Sequence, residues 1–362
     1  MVFRPDPSCH QPEFKMKQSS KTAILHYSAP PTIGGVEAVI SAHAKVFLEN
    51  GYPVKIIAGR GQRSALPEGS EFEEIPLLDS RHKTVLRVNK ELAQGVVSDS
   101  YQALRNNINT QLEKSLGGIA NVIAHNLFSK NFNLAFTDAL VLLHQEGKIP
   151  NTIAWCHDFS VKSENDQKAL HDGLPWDLLR TYTADIQYVT VSRKRQAILA
   201  EIFEIPREKI NVIYNGFDPG ELLGIKEETG CLIRHLGLLD ARLILLMPVR
   251  ITKAKNIEFA LQVASELKST DLSFMVLLTG PPDPHDPDNM AYFQDLRKLR
   301  EELGLENYFK FLYEENPQSE KPYHLDMDTV ADLYRVCDMV FMPSHHEGFG
   351  MPVLAAGSIG KP

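Results

Sequence analysis

Short apolar runs alternate with amphipathic helical stretches along most of this chain, and that alternation is what most limits its fold. Residues 22–28 (TAILHYS) read as a buried strand. The Pro30-Pro31 breaker and Gly34-Gly35-Val36-Glu37 then lead into a helix, on which Val36, Val39, Ile40, His43, Val46 and Phe47 recur at helical spacing until Gly51 stops it. Residues 54–58 (VKIIA) supply the next strand. Strand, glycine loop, helix and strand together span about 35 residues, the length of a right-handed parallel crossover. A long helical stretch is expected over 85–116, broken near Gly95, and further strands at 121–125 (NVIAH), 152–156 (TIAWC) and 188–191 (YVTV). Ser192 is placed to cap a helix over 193–203, and residues 210–214 (INVIY) are expected to end in a tight turn at Asn215-Gly216.

Residues 217–239 are mixed, with Pro219, Gly220, Gly224 and Gly230 among several charges, and the domain boundary is placed there. Beyond it the pattern restarts. Strands are expected at 243–248, 274–279, 309–313 and 339–343, with helices at 256–268, 292–303 and 327–337. The expected class is α/β, with two Rossmann-like parallel-sheet domains in series. Residues 1–20 form a disordered lead-in, 21–218 the first domain and 219–362 the second.

Composition narrows the function. Lys and Arg number 38 against 46 Asp and Glu, and the net charge of -8 argues against bulk nucleic-acid binding while leaving room for a local basic pocket. Cys9, Cys156, Cys231 and Cys337 are scattered without metal-ligand spacing, so they read as reduced thiols of a cytoplasmic protein. The polar start carries Pro5, Pro7 and Pro12 and no apolar core of a signal or transmembrane segment, which leaves peripheral membrane contact open. The loop 281–288 is acidic, but its prolines splay the carboxylates, so no metal site is expected there.

Chemistry concentrates in the second half. Its first strand ends at Pro248-Val249-Arg250, and Lys255 follows five residues later beside Asn256 at a helix start. Two cations at the carboxyl edge of a parallel sheet suit a diphosphate, Arg through its bidentate fork and Lys as a point charge. The last strand runs into Pro343-Ser344-His345-His346-Glu347-Gly348-Phe349-Gly350-Met351-Pro352 before another helix. There the glycines let backbone N–H groups approach an anion, and Glu347 is left free to accept hydrogen bonds from sugar hydroxyls. In the first half, Trp155-Cys156-His157-Asp158 ends a strand, where His157 is a candidate ligand contact or, alternatively, part of a helix cap. His125 ends another strand and is a lesser candidate. Glu37 reads as a dipole partner at a helix start.

Taken in order, these motifs resemble the retaining glycosyltransferases of family 4, within glycosyl transferases group 1. They are Gly34-Gly35-Val36-Glu37, Val191-Ser192 with residues 213–218 (IYNGFD), Arg250 with Lys255-Asn256, Thr279-Gly280, and Pro343-Ser344 with residues 347–352 (EGFGMP). The resemblance covers residues 21 to the end. It implies the GT-B fold, two Rossmann-like domains facing across a cleft, and transfer of a hexose from a nucleoside-diphosphate sugar to a hydroxyl acceptor, with retention at the anomeric carbon and no metal or cofactor. Gly34, Gly35, Arg250, Lys255, Gly350 and Met351 would bind the donor diphosphate, while His157, Glu347, Gly348, Phe349 and Gly350 would contact the donor sugar. His157, Arg250, Lys255 and Glu347 would carry catalysis.

There are two departures from the family pattern. Ala355 stands where the family has a second Glu, eight residues after the first, that binds the ribose. The family also continues past Gly360-Lys361-Pro362 into a further strand and helices, so an incomplete second domain is expected. Rival readings are a sugar-nucleotide epimerase or glycosyl phosphorylase on the same fold, and a non-catalytic sugar-nucleotide-binding subunit. A nicotinamide dehydrogenase is disfavoured, since neither half has G-x-G-x-x-G after its first strand.

Overall fold

The computed structural model describes residues 20–362 apart from 150, 284–287, 318 and 320. The lead-in, except residue 20, and the middle of the 281–288 loop lie outside the described residues. The chain divides into two compact units that meet in sequence between Phe217 and Asp218.

The N-terminal unit runs β1 Thr22–His26, α1 Gly35–Glu49, β2 Val54–Ala58, β3 Glu71–Glu74, α2 Lys83–Leu92, α3 Asp99–Ser115, β4 Asn121–His125, α4 Leu134–Gln145, β5 Asn151–Cys156, α5 Glu164–Gln167, β6 Ile186–Thr190, α6 Arg193–Phe203 and β7 Ile210–Val212. Its strands form one parallel sheet in the order β3-β2-β1-β4-β5-β6-β7. The C-terminal unit follows with α7 Pro219–Leu223, α8 Glu227–His235, β8 Leu243–Met247, α9 Ile257–Lys268, β9 Phe274–Leu278, α10 Asn289–Glu302, β10 Phe309–Phe311, α11 Met327–Val336, β11 Met339–Val340 and α12 Met351–Ser358. Its parallel sheet has the order β10-β9-β8-β11. The expected pair of parallel-sheet α/β domains is therefore present.

Each sheet is buried on both faces, which is why its central strands read as unbroken apolar runs rather than alternating ones. In β1, Ala23 and Leu25 join one core while Ile24 joins the core on the opposite face. In β8, Leu245 and Met247 likewise pack away from Ile244 and Leu246. This is the two-residue period of a pleated strand.

One expectation needs correction, and two features were not read from the sequence. β3 (EFEE) has too little apolar surface to read as a strand, because it is an edge strand steadied by Lys21–Glu71 at 2.7 Å and Lys55–Glu73 at 2.6 Å. The turn foreseen at Asn215-Gly216 does not form, and residues 213–218 carry no regular structure. The two units divide at the start of the mixed segment 217–239, and Leu232, Ile233, Leu236 and Leu238 of α8 and the turn after it pack into the C-terminal core.

Both sheets reverse their direction of growth once. The chain lays down β1, β2 and β3, then returns to set β4 against the other flank of β1; β8, β9 and β10 are followed in the same way by β11 against β8. Loops leaving neighbouring strands at such a reversal diverge to opposite faces and open a crevice at the carboxyl edge, where ligands of open α/β sheets bind.

Candidate functional site

In the C-terminal unit the reversal lies between β8 and β11, and three contacts join the two loops that leave these strands. Lys255 Nζ donates to Glu347 Oε1 at 2.7 Å, Asn256 Nδ2 donates to the Pro343 carbonyl at 3.1 Å, and the His345 N–H donates to the Ala254 carbonyl at 2.9 Å. Lys255 closes a one-turn 3-10 helix, Lys253–Lys255, and Asn256 then takes a left-handed φ of 53° to start α9. Asn tolerates that conformation better than most side chains. The sharp turn separates the lysine from the helix and directs it to the β11 loop.

Glu347 is not the free carboxylate expected from sequence. Its Oε1 accepts from both Lys255 Nζ and Ser344 Oγ, each at 2.7 Å. The Lys255 hydrogen bond, and after it that of Ser344, hold the carboxyl below the usual Glu range. Oε2 has no partner among the described residues and keeps an acceptor to offer. Gly348 and Phe349 are exposed after it. Gly350, at φ 76°, turns the chain into α12, whose first turn starts at Met351 with no side-chain cap. Pro352 has no N–H and the Val353 N–H donates to the Gly350 carbonyl at 2.9 Å, so in the first turn it is the Met351 N–H that is left for an outside acceptor.

Arg250 projects from the loop after β8, exposed, with Nη1 3.8 Å from Asp283 Oδ1. Gly280 sets that loop's course. A Cβ on Gly280 would collide with the Val249 carbonyl oxygen and come within 2.6 Å of Arg250 Cα, while its own N–H donates to the Val249 carbonyl at 3.0 Å. The Thr279-Gly280 pair thus has a physical reason invisible in sequence: only glycine lets the end of β9 press against the backbone that carries Arg250.

In the N-terminal unit the reversal lies between β1 and β4, and a cavity of about 550 Å³ opens there. His26, Tyr27 and Ser28 after β1, Gly35 to Glu37 at the head of α1, Arg60 after β2, Asn126 after β4 and Asp158 after β5 line it. Gly34 precedes α1 as its cap, and Glu37 is buried and accepts from Ser28 Oγ at 2.5 Å. Glu37 is therefore more than the dipole partner expected. Arg60, Arg81, Lys130, Lys162 and Arg195 reach the lining, against two carboxylates, Glu37 and Asp158. Asp79, Asp166 and Glu201, which pair with Arg60, Lys130 and Lys162, lie outside it, and Arg195 holds Asp158 at 2.7 Å. Arg81 has no carboxylate partner among the described residues. None of these cations was singled out in sequence, because they come from separate loops.

His26 of this lining belongs to a cluster of four histidines. His125 is fully buried, His157 is 7% exposed, and His125 Nδ1 lies 3.0 Å from His157 Nε2 with the rings stacked at 28°. His26 Nδ1 lies 2.9 Å from the His125 carbonyl, and His43 packs edge-on to Trp155. Burial pulls the pKa of His43 and His157 down to about 4 and lowers those of His26 and His125. All four imidazoles are neutral near pH 7. Sequence marked His157 and His125 by their strand ends; His26, which also ends a strand, could have been found the same way. No cluster able to hold a metal ion occurs among the described residues. Among them, too, no helix is long and apolar enough to cross a membrane.

Comparison with known proteins agrees with the C-terminal geometry. An uncharacterized glycosyltransferase of Methanocaldococcus jannaschii is 30% identical over 200 residues, 55% of this chain and 45% of that protein. The D-inositol 3-phosphate glycosyltransferase of Stackebrandtia nassauensis is 26% identical over 183 residues, 48% of this chain and 37% of that one. The mannosylfructose-phosphate synthase of Agrobacterium fabrum is 23% identical over 165 residues, 46% of this chain and 34% of its own. The chain thus spans less than half the length of these relatives. Residues 233–362, which hold Arg250, Lys255 and the Glu347 loop, match the family described as glycosyl transferases group 1.

Proposed function

We propose that the chain transfers a hexose from a nucleoside-diphosphate sugar to a hydroxyl acceptor with retention of anomeric configuration. The observation that carries this reading is the Lys255–Glu347 pair, which joins the two loops at the reversal between β8 and β11. A cation for phosphate and a carboxylate oxygen for sugar hydroxyls stand side by side there, beside the uncapped start of α12. Arg250 and Lys255 bind the diphosphate. As the anomeric carbon–oxygen bond breaks, negative charge grows on the leaving phosphate, and fixed cations stabilise it without reorganising. Glu347 Oε2 accepts from a donor-sugar hydroxyl. The acceptor oxygen bonds to the anomeric carbon on the face the diphosphate leaves, and its proton passes to the departing phosphate oxygen. Retention rests on the family resemblance.

The acceptor is assigned to the cavity of the N-terminal unit and carries a phosphate. Arg81, which lines it with no carboxylate partner among the described residues, and the N–H donors of the paired Arg60, Lys130, Lys162 and Arg195 favour an anionic ligand. One relative is named for D-inositol 3-phosphate, which agrees.

Incubation with a panel of nucleotide sugars, with and without polyol and sugar monophosphates, tests the reading. A new glycoside, α-linked when the donor is α-linked, is expected only when both substrates are present. An epimerised nucleotide sugar without acceptor, a sugar 1-phosphate formed with inorganic phosphate, or binding without turnover would each replace this reading with one of its rivals.

A further inference from the structure

The buried histidine pair carries an assignment beyond the contact of His157 with a ligand. Two neutral imidazoles 3.0 Å apart bond only if one gives a proton and the other a lone pair. There are two ways to arrange this. If His157 Nε2–H donated, His125 would carry its own proton on Nε2, and that N–H is buried with no partner, beside the stacked Trp155 ring. If His125 Nδ1–H donates, what remains unpaired at His125 Nε2 is only a lone pair. A stranded buried N–H is the rarer arrangement in folded proteins. The surrounding backbone is fixed as well: Asn126, held at a left-handed φ of 60°, accepts the His157 N–H on its Oδ1 at 2.8 Å.

We infer that His125 is a positioning residue that holds His157 as its Nδ1–H tautomer, so that His157 presents a hydrogen-bond donor, and not a base, to a ligand oxygen. His157 Nδ1 has no protein partner among the described residues and is not shut off from solvent. A donor there suits a hydroxyl or phosphate oxygen. It leaves deprotonation of the acceptor to the leaving phosphate, and in this respect the inference rests on the proposed transfer. The tautomer itself does not.

Long-range proton–nitrogen correlation on the nitrogen-15-labelled protein at neutral pH reads the tautomer directly, with His157 signals assigned by their loss in His157→Gln. The account requires the unprotonated nitrogen of His157 to couple strongly to both ring C–H protons, the pattern of Nε2. If the protonated nitrogen shows that pattern, the assignment is overturned, whatever the activity. The variants His125→Asn and His125→Leu add a functional reading. Asn places an amide N–H where Nδ1–H stood and should keep the tautomer and turnover. Leu should release the tautomer and lower kcat roughly tenfold, the scale of one hydrogen bond, while nucleoside-diphosphate affinity stays unchanged. Equal kcat in both variants, or loss of the tautomer in Asn, would overturn the positioning role. Should Leu fail to fold, the wild-type and Asn spectra still decide. Absence of transfer in every variant, with the expected tautomer intact, would sink the transferase reading alone.

Discussion

Replacing His157 with glutamine should flatten the acid side of the stability profile of the N-terminal unit by a definite amount. Burial holds the folded imidazole at about 4, with His26, His43, His125 and Asp158 as its charged or titratable neighbours. In the unfolded chain it returns to about 6.5. The unfolded state therefore binds more protons in the interval between, so stability falls as pH drops below about 6.5 and the loss levels off near 4. From about pH 7.5 to about pH 4.5 this single group should cost about 2.5 kcal/mol. Gln cannot titrate, but its Oε1 can still accept from His125 Nδ1–H, so the packing is retained. Carboxylates and histidines that do not face His157 titrate alike in both proteins and drop out of the difference, leaving His157 and the neighbours its charge acts on. Both tryptophans, Trp155 and Trp176, lie buried in the N-terminal unit, so urea unfolding followed by selectively excited tryptophan fluorescence reports on that unit. Wild type should lose about 2.5 kcal/mol more than His157→Gln between these two pH values. Parallel pH profiles would refute the claim that His157 is held neutral by burial.

Two further outcomes follow from the C-terminal unit. Gly280→Ala should destabilise that unit by about 3 kcal/mol, since the added methyl meets backbone that cannot swing aside; an unchanged circular-dichroism unfolding midpoint would contradict the close approach. Ala355 is exposed on α12, so Ala355→Glu should leave stability within about 0.5 kcal/mol of wild type while tightening nucleotide binding roughly 2- to 12-fold through a new ribose contact. Unchanged or weaker binding in a calorimeter would count against placing the nucleoside beside that helix.

What was legible in the sequence follows from how each element is stabilised. β1, β2, β4, β5, β8 and β9 lie inside their sheets and announce themselves as apolar runs, because both of their faces are buried. β3 stayed hidden because its edge position needs ion pairs more than apolar side chains. The motifs around Arg250, Lys255 and Glu347 were visible as strand ends, but the Lys255–Glu347 pair spans 92 positions and needs the β8–β11 pairing to exist. The same holds for His26, His43, His125 and His157, which no spacing rule connects. Glycines also differ in legibility. Gly350 announces a turn, whereas Gly59 and Gly280 matter through what lies opposite them, the backbone of Asp79 for one and of Val249-Arg250 for the other.

The central claim is that Arg250 and Lys255 hold a nucleoside diphosphate, and calorimetric titration tests it most directly. Uridine, guanosine and adenosine diphosphates would be titrated into wild type, Arg250→Ala, Lys255→Ala and the double variant. A charge-assisted hydrogen bond contributes about 1.5–3 kcal/mol, so each single variant should bind the preferred diphosphate roughly 10- to 150-fold more weakly. Lys255→Ala should be the more damaging, because it leaves the Glu347 carboxylate uncompensated beside the phosphates. The double variant should lose less than the sum, as expected for two cations on one anion. Near-wild-type affinity in both single variants would contradict the account.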